Sequence, residues 1–258
     1  MNKEITQVSG IVENSARIVW SNTVSTRWRE RPEFRYIENN PDLPNVFLYG
    51  DSISMGYTEE VRRQLEGAAN VYRLHDNGGT SGSFIPKMKD LHTAMRDPHL
   101  ENPWKFDWDI IHFNAGIHDL TYLREDDGER DKVNGKLTTT IPQYKQNLEE
   151  IIAYLRKLAP RAKLIFATTT PIPEDEPGRI ADDAENYNQA ALEVLSRHPD
   201  IAINDLHALT RPHHSEWWRK PGDVHYNETG SIAQGSQVAK VIRAALSRFG
   251  RIDPIHNA

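Results

Sequence analysis

This 258-residue chain contains no cysteine, which excludes disulfide staples, a thiolate nucleophile and any metal held by sulfur. It has no apolar run near the roughly 20 residues that a membrane-spanning helix needs. Its opening residues, MNKEITQVSG, lack the apolar stretch of a signal peptide. The expectation is a soluble cytoplasmic protein, or a secreted or periplasmic one if the natural chain starts further upstream. There is no excess of basic charge. The formal net charge is -6 and comes from interspersed charges, so no basic face presents itself to nucleic acid or to an acidic membrane. Internal repeats and low-complexity tracts are missing as well, which excludes solenoid and linker-rich designs. Eleven histidines raise a metal hypothesis, through His112 with His118 or through the adjacent His213 and His214. No H-E-x-x-H or similar ligand spacing accompanies them, so no metal is expected.

What is present is an alternation. Apolar runs of strand length, rich in β-branched and aromatic residues, occupy 46–49, 71–74, 110–113, 164–167 and 201–203. Between and after them lie helical patterns. Tyr144, Leu148, Ile151, Ile152, Leu155 and Leu158 recur at spacings of three and four and stop at Pro160. Ala184, Tyr187, Ala191, Val194 and Leu195 predict a second helix. Ile232, Val238, Ala239, Ile242, Leu246 and Phe249 predict a long closing one. Five βα alternations imply an α/β fold, a three-layer flavodoxin-like sandwich around a parallel sheet of about five strands. One core suffices for this length. Residues 1–44 precede the first core strand and read as an N-terminal appendage, with a possible hairpin of residues 7–12 and 16–20 around Glu13-Asn14-Ser15. Residues 45–258 form the α/β domain. The charged stretch 123–136 follows the third strand and reads as a solvated loop or as a rim over a site.

In parallel sheets, ligands bind beyond the carboxyl ends of the strands, so the residues just after each strand matter most. The first strand ends in Gly50-Asp51-Ser52. Glycine permits a tight turn there, and a serine at the strand end exposes its hydroxyl while its backbone N–H points toward a developing oxyanion. Serine still needs a base. The alternative is that Asp51 and Ser52 only cap a following helix.

Three further blocks follow this one: Asn77-Gly78-Gly79-Thr80-Ser81-Gly82, Gly116-Ile117-His118-Asp119 and Asp223-Val224-His225. With these four blocks the chain resembles the SGNH (GDSL-like) hydrolase superfamily. The resemblance runs from Gly50 to His225. It implies Ser52 as nucleophile, His225 as general base and Asp223 as the triad acid, with an oxyanion hole made by the N–H groups of Ser52 and Gly79 and by a side chain of the third block. That block usually carries asparagine where this chain has His118. An imidazole can also donate an N–H, and a bacterial branch in which G-x-H-D is usual has the same look, including Leu43-Pro44 ahead of the first strand. Asn114 is the alternative donor, or else makes a structural hydrogen bond.

The fourth block usually reads D-x-x-H, so Asp223 stands one residue too close. In an extended segment, residues i and i+2 face one side about 6.6 Å apart, and otherwise a carbonyl such as that of Gly222 would orient the ring. Asn227-Glu228-Thr229 next to His225 reads as a helix start.

The resemblance implies acyl transfer through Ser52 without metal or cofactor. The expected substrate is a small-molecule or carbohydrate ester with a short acyl group, such as an O-acetyl sugar, because no long apolar lid is apparent. Asp51, Asn114, Trp217 and Trp218 are candidate substrate contacts. The two tryptophans either offer faces to sugar rings or pack the last helix. A noncatalytic carbohydrate-binding protein and an acyltransferase using the same site are the alternatives.

Overall fold

The computed structural model describes residues 15–247. Five strands, β1 (Asn45–Tyr49), β2 (Asn70–Arg73), β3 (Ile110–Phe113), β6 (Lys163–Ala167) and β7 (Ala202–Asn204), form one parallel sheet in the order β2-β1-β3-β6-β7. Counted within the sheet this is 2-1-3-4-5, the flavodoxin-like order, which reverses direction between β1 and β3. The central strands are mostly apolar, His112 in β3 excepted, because helices cover both faces. β7 is an edge, and its Ile203 remains 45 % exposed.

Helix α2 (Ser52–Gln64) follows β1 and packs on the closing helix α8 (Glu228–Ser247). Helices α3 (Phe84–Met95), α4 (Ile141–Leu158) and α5 (Asp183–Leu195) pack side by side on the opposite face, as right-handed crossovers require. The α4 pattern folds as its spacing dictates. Thr140 caps it, Pro142 occupies the first turn, and Tyr144, Leu148, Ile151, Ile152 and Leu155 are its buried stripe. In α8, Val238, Ala239, Ile242 and Leu246 are buried, but Ile232 is 44 % exposed. The buried face instead runs through Gly230, Gln234 and Gly235 ahead of Val238, and Phe249 lies outside the described residues.

The N-terminal expectation needs correcting. Residues 16–20 are not a strand: they lie in helix α1 (Ala16–Thr23), capped by the Ser15 hydroxyl accepting from the Ile18 N–H. Residues 7–12 lie outside the described residues. α1 packs on α3, and Trp20, 3 % exposed, donates its indole N–H to the Phe34 carbonyl at 2.6 Å and lies 5.1 Å from the Trp104 ring. Trp104 and Trp108 sit in this aromatic core together with Tyr72 and Phe47. The charged stretch 123–136 spans a small hairpin, β4 (Tyr122–Leu123) with β5 (Lys136–Leu137). Most of its side chains are exposed, while backbone bonds from Tyr122 to Gly178 and from Lys132 to Pro177 fasten it to the loop after β6. Among the described residues no helix is long and apolar enough to cross a membrane.

Candidate active site

The site lies at the carboxyl end of the sheet, beside the β1/β3 reversal. β1 runs into Gly50, where a side chain would collide with Ser54. Asp51 then caps α2, its carboxylate accepting from the Ile53 N–H at 2.8 Å. Ser52 is the first residue of that helix. Its backbone N–H therefore belongs to the first-turn donors that have no partner within the helix, at the positive end of the helix dipole. Asp51 is 2 % exposed, so it differs from the expected substrate contact: the capping bond turns it inward.

The Ser52 Oγ lies 2.8 Å from His225 Nε2, and His225 Nδ1 lies 2.5 Å from Asp223 Oδ1. The short D-x-H spacing works through a local turn, not through the extended segment assumed from sequence. Trp218 and Tyr226 pair as an antiparallel bridge, Arg219 N–H donates to the His225 carbonyl at 2.9 Å, and Gly222 at φ 68° reverses the chain. Asp223 Oδ1 then accepts the backbone N–H of His225 at 3.0 Å. This is an Asx-turn, in which the carboxylate bonds to the N–H two residues on. It delivers the same oxygen to the ring of that residue, so no Gly222 carbonyl is needed.

The other oxygen, Oδ2, accepts from Arg219 Nε at 2.9 Å and Nη2 at 2.6 Å. Burial alone would raise the Asp223 pKa. The His225 backbone and ring donors and the Arg219 fork outweigh it, holding the carboxyl at about 2. A carboxylate accepting at Nδ1 leaves the Nε2 lone pair facing the serine hydroxyl.

The second block makes the facing turn. Gly78 N–H donates to the Gly50 carbonyl at 3.0 Å, and a side chain at Gly78 would strike Tyr49 and the Gly50 backbone. Gly79 has φ 68°, a left-handed conformation that favours glycine. Its N–H, expected to face an oxyanion, donates to Asn77 Oδ1 at 2.9 Å in this state.

The third block follows β3. Gly116, φ 155°, packs so tightly on Thr169 that a Cβ would overlap its hydroxyl. His118 is half-buried two residues on. Burial lowers its pKa, Asp51 counteracts, and Arg179, Arg130 and Lys87 push further down, so the ring is neutral at neutral pH. Asn114 donates its amide to the Ala167 carbonyl at 2.8 Å, stitching the ends of β3 and β6 together. That is the structural bond considered above.

Trp217 stacks on His213 at 3.9 Å and Trp218 on His214 at 4.6 Å between ring centroids, both packed partly buried against the core. The groove of about 300 Å³ beside Ser52 and His225 is walled by other side chains: Trp28, Arg31, Met55, Arg219, Tyr226 and Ser231. His112 is fully buried and bonded to Asn204, with its pKa pushed down to about 3 by burial. Among the described residues no group of three or more His, Asp or Glu side chains could hold a metal ion.

Several contributors were given no role by sequence reasoning, although Asp119 stands in the third block. Asp119, fully buried, accepts from Ser81 N–H at 2.9 Å and from Ser81 Oγ at 2.5 Å, which clamps the second block to the third. Burial raises its pKa to about 6 against those hydrogen bonds. Arg219 stands four residues before Asp223, and only the turn brings the two together. Trp28 and Arg31 come from the segment read as an appendage.

Comparison with known proteins gives a family and a fold. The GDSL-like Lipase/Acylhydrolase family matches residues 48–231. Similar solved structures include a lipase/acylhydrolase from Enterococcus faecalis, 18 % identical with a TM-score of 0.59, covering 83 % of this chain and 100 % of that one. The acetyl xylan esterase AlAXEase is 16 % identical with a TM-score of 0.57, covering 77 % of this chain and 99 % of that one. A carbohydrate esterase family 2 enzyme from Corynascus thermopiles (Myceliophthora fergusii) is 19 % identical with a TM-score of 0.54, covering 83 % and 70 %. At these identities the likeness is one of fold. No curated protein matches the chain.

Proposed function

Because this chain belongs to the GDSL-like lipase/acylhydrolase family, we propose that it is a serine esterase that removes a short acyl group, an O-acetyl on a carbohydrate, through an acyl-enzyme on Ser52. The observation that carries the reading is the continuous hydrogen-bonded chain Ser52 Oγ, His225 Nε2, His225 Nδ1, Asp223 Oδ1. In this reading Ser52 Oγ attacks the ester carbonyl while His225 Nε2 takes its proton, and Asp223 stabilises the imidazolium without being protonated. The tetrahedral oxyanion forms over the Ser52 N–H at the α2 terminus. Gly79 supplies a second N–H once its bond to Asn77 is exchanged for the substrate oxygen, and neutral His118 supplies a third donor. His225 returns the proton to the departing alcohol, and water attacks the acyl-Ser52 ester with His225 again as base.

Carbohydrate acetyl esters are favoured because the fold is shared with proteins named as acetyl xylan esterase and carbohydrate esterase. The test is hydrolysis of p-nitrophenyl acetate against longer acyl chains by the parent and by Ser52→Ala, with mass spectrometry of the trapped parent. Turnover that falls to background in Ser52→Ala, with an acetyl mass on the Ser52 peptide, is expected. Equal turnover by both proteins would overturn the reading.

A further inference from the structure

The charges around the groove do not follow those of the chain. The protein is net negative, -6, yet the charged residues lining the groove beside Ser52 and His225 are Arg31 and Arg219. The carboxylates behind them are outnumbered. Glu33, 4 % exposed, pairs with Arg31 at 2.5 Å and also attracts the buried guanidinium of Arg73, while Arg62 is held chiefly by Glu59 at 2.7 Å. Asp76 answers Arg27 at 4.0 Å and Lys87 at 2.8 Å.

Guanidinium groups that line the groove while their carboxylate partners, Glu33 and Asp223, lie buried behind them favour anions there. Donors remain to receive one. Among the described residues, Nε and Nη1 of Arg31 and Nη1 of Arg219 meet no acceptor: Arg31 Nη2 is ion-paired with Glu33, and Arg219 donates Nε and Nη2 to Asp223. Trp28 is less suited to stacking a neutral sugar. Arg27 and Arg31 lie 4.3 and 5.1 Å from its ring, Phe34 stacks at 6.0 Å, and its indole N–H is bonded to Asp76 at 2.9 Å.

We propose that the groove selects esters bearing a negatively charged group, a carboxylate above all, received by Arg31 with Arg219. This rests on the esterase reading and narrows it to an acetylated acidic glycan, one carrying uronate units, if the charge sits on the alcohol, or to an acid-bearing acyl chain if it sits there. Guanidinium is the fitting donor because its planar fork matches a carboxylate. Hydrogen bonds to charged groups correspond to a preference of about tenfold or more.

The test uses two matched pairs with the full chain. On the alcohol side, kcat/KM for deacetylating acetylated oligogalacturonate is compared with that for acetylated xylo-oligosaccharide. On the acyl side, mono-p-nitrophenyl glutarate is compared with p-nitrophenyl valerate. The anionic member of at least one pair is expected to lead by about tenfold, and the pair that shows it locates the charge. That ratio should fall toward one in Arg31→Gln and as salt rises from about 50 to about 500 mM. Equal or reversed ratios in both pairs, with p-nitrophenyl acetate still turned over through Ser52, would overturn the charge inference and leave the esterase intact. If p-nitrophenyl acetate were inert, calorimetry of oligogalacturonate against xylo-oligosaccharide on Ser52→Ala would decide the inference by itself. Salt-sensitive binding of the acidic oligomer alone supports it, and equal binding overturns it.

Discussion

Asp223→Asn probes the site most sharply, because two donors flank the side chain it alters. In the parent, Oδ2 accepts twice from Arg219 and Oδ1 accepts twice from His225. An amide has one oxygen and one NH2, so it can satisfy only one side. Arg219 is always cationic and cannot accept, and it draws the amide oxygen toward itself. The amide NH2 then faces His225, where it opposes the backbone N–H and requires a lone pair on Nδ1. The ring must carry its proton on Nε2 instead, against the Ser52 hydroxyl, which removes the base. A wrong-tautomer lesion of this kind lowers kcat on the order of 10⁴, about 5 kcal/mol of barrier.

The structure adds a way to test the cause. In Asp223→Asn with Arg219→Leu, the competing donors are gone and the amide can rotate its oxygen back to His225. The double variant should therefore exceed the single one by about tenfold, the worth of one recovered hydrogen bond, although it carries two lesions. The assay is kcat on p-nitrophenyl acetate over pH 5 to 9, with circular dichroism to check that each variant is folded. Less than tenfold loss in Asp223→Asn would refute the role of the carboxylate. A double variant no faster than the single one would refute the role assigned to Arg219.

Other expectations concern the frame of the site. Trp20→Ala removes a side chain that is 3 % exposed and bonded to Phe34, so chemical denaturation should show a loss of about 3–5 kcal/mol; a loss below 1 kcal/mol would mean that α1 contributes little to the core. Gly116→Ala sets a methyl against Thr169 at φ 155° and should cost about 1–3 kcal/mol. Gly116→Ala with Thr169→Gly should recover part of that loss, and an unchanged melting temperature in the single variant would contradict the packing. The folded-state pKa of Asp223 is depressed from 3.8 to about 2, so its ion pairing stabilises the fold fully above its unfolded value and is lost as pH falls through 2. The difference in melting temperature between parent and Asp223→Ala should accordingly shrink between pH 5 and pH 2, and a constant gap would contradict the linkage.

Much of the fold was legible because its signals are local. A strand buried on both faces is continuously apolar, as at Phe47 and Ile111, and a helix against the sheet repeats every three to four residues, as from Tyr144 to Leu155. Gly50-Asp51-Ser52 declares a tight turn and a helix cap in three letters. Residues 16–20 misled because a short apolar stretch satisfies both periods, and burial against α3 decided for helix. The sequence alone thus determined the order of the strands along the chain, the helices α4, α5 and α8, and the turn that holds Ser52. Tertiary structure decided what depends on distance between remote segments: the 2.8 Å contact across 173 residues, the Asx-turn that makes Asp223 reach in D-x-H, the Arg219 fork, and a groove walled by Trp28 and Arg31 instead of Trp217 and Trp218. Periodicity reports which face of an element is buried, whereas the partner it meets is set by chain reversals and packing that no single segment encodes.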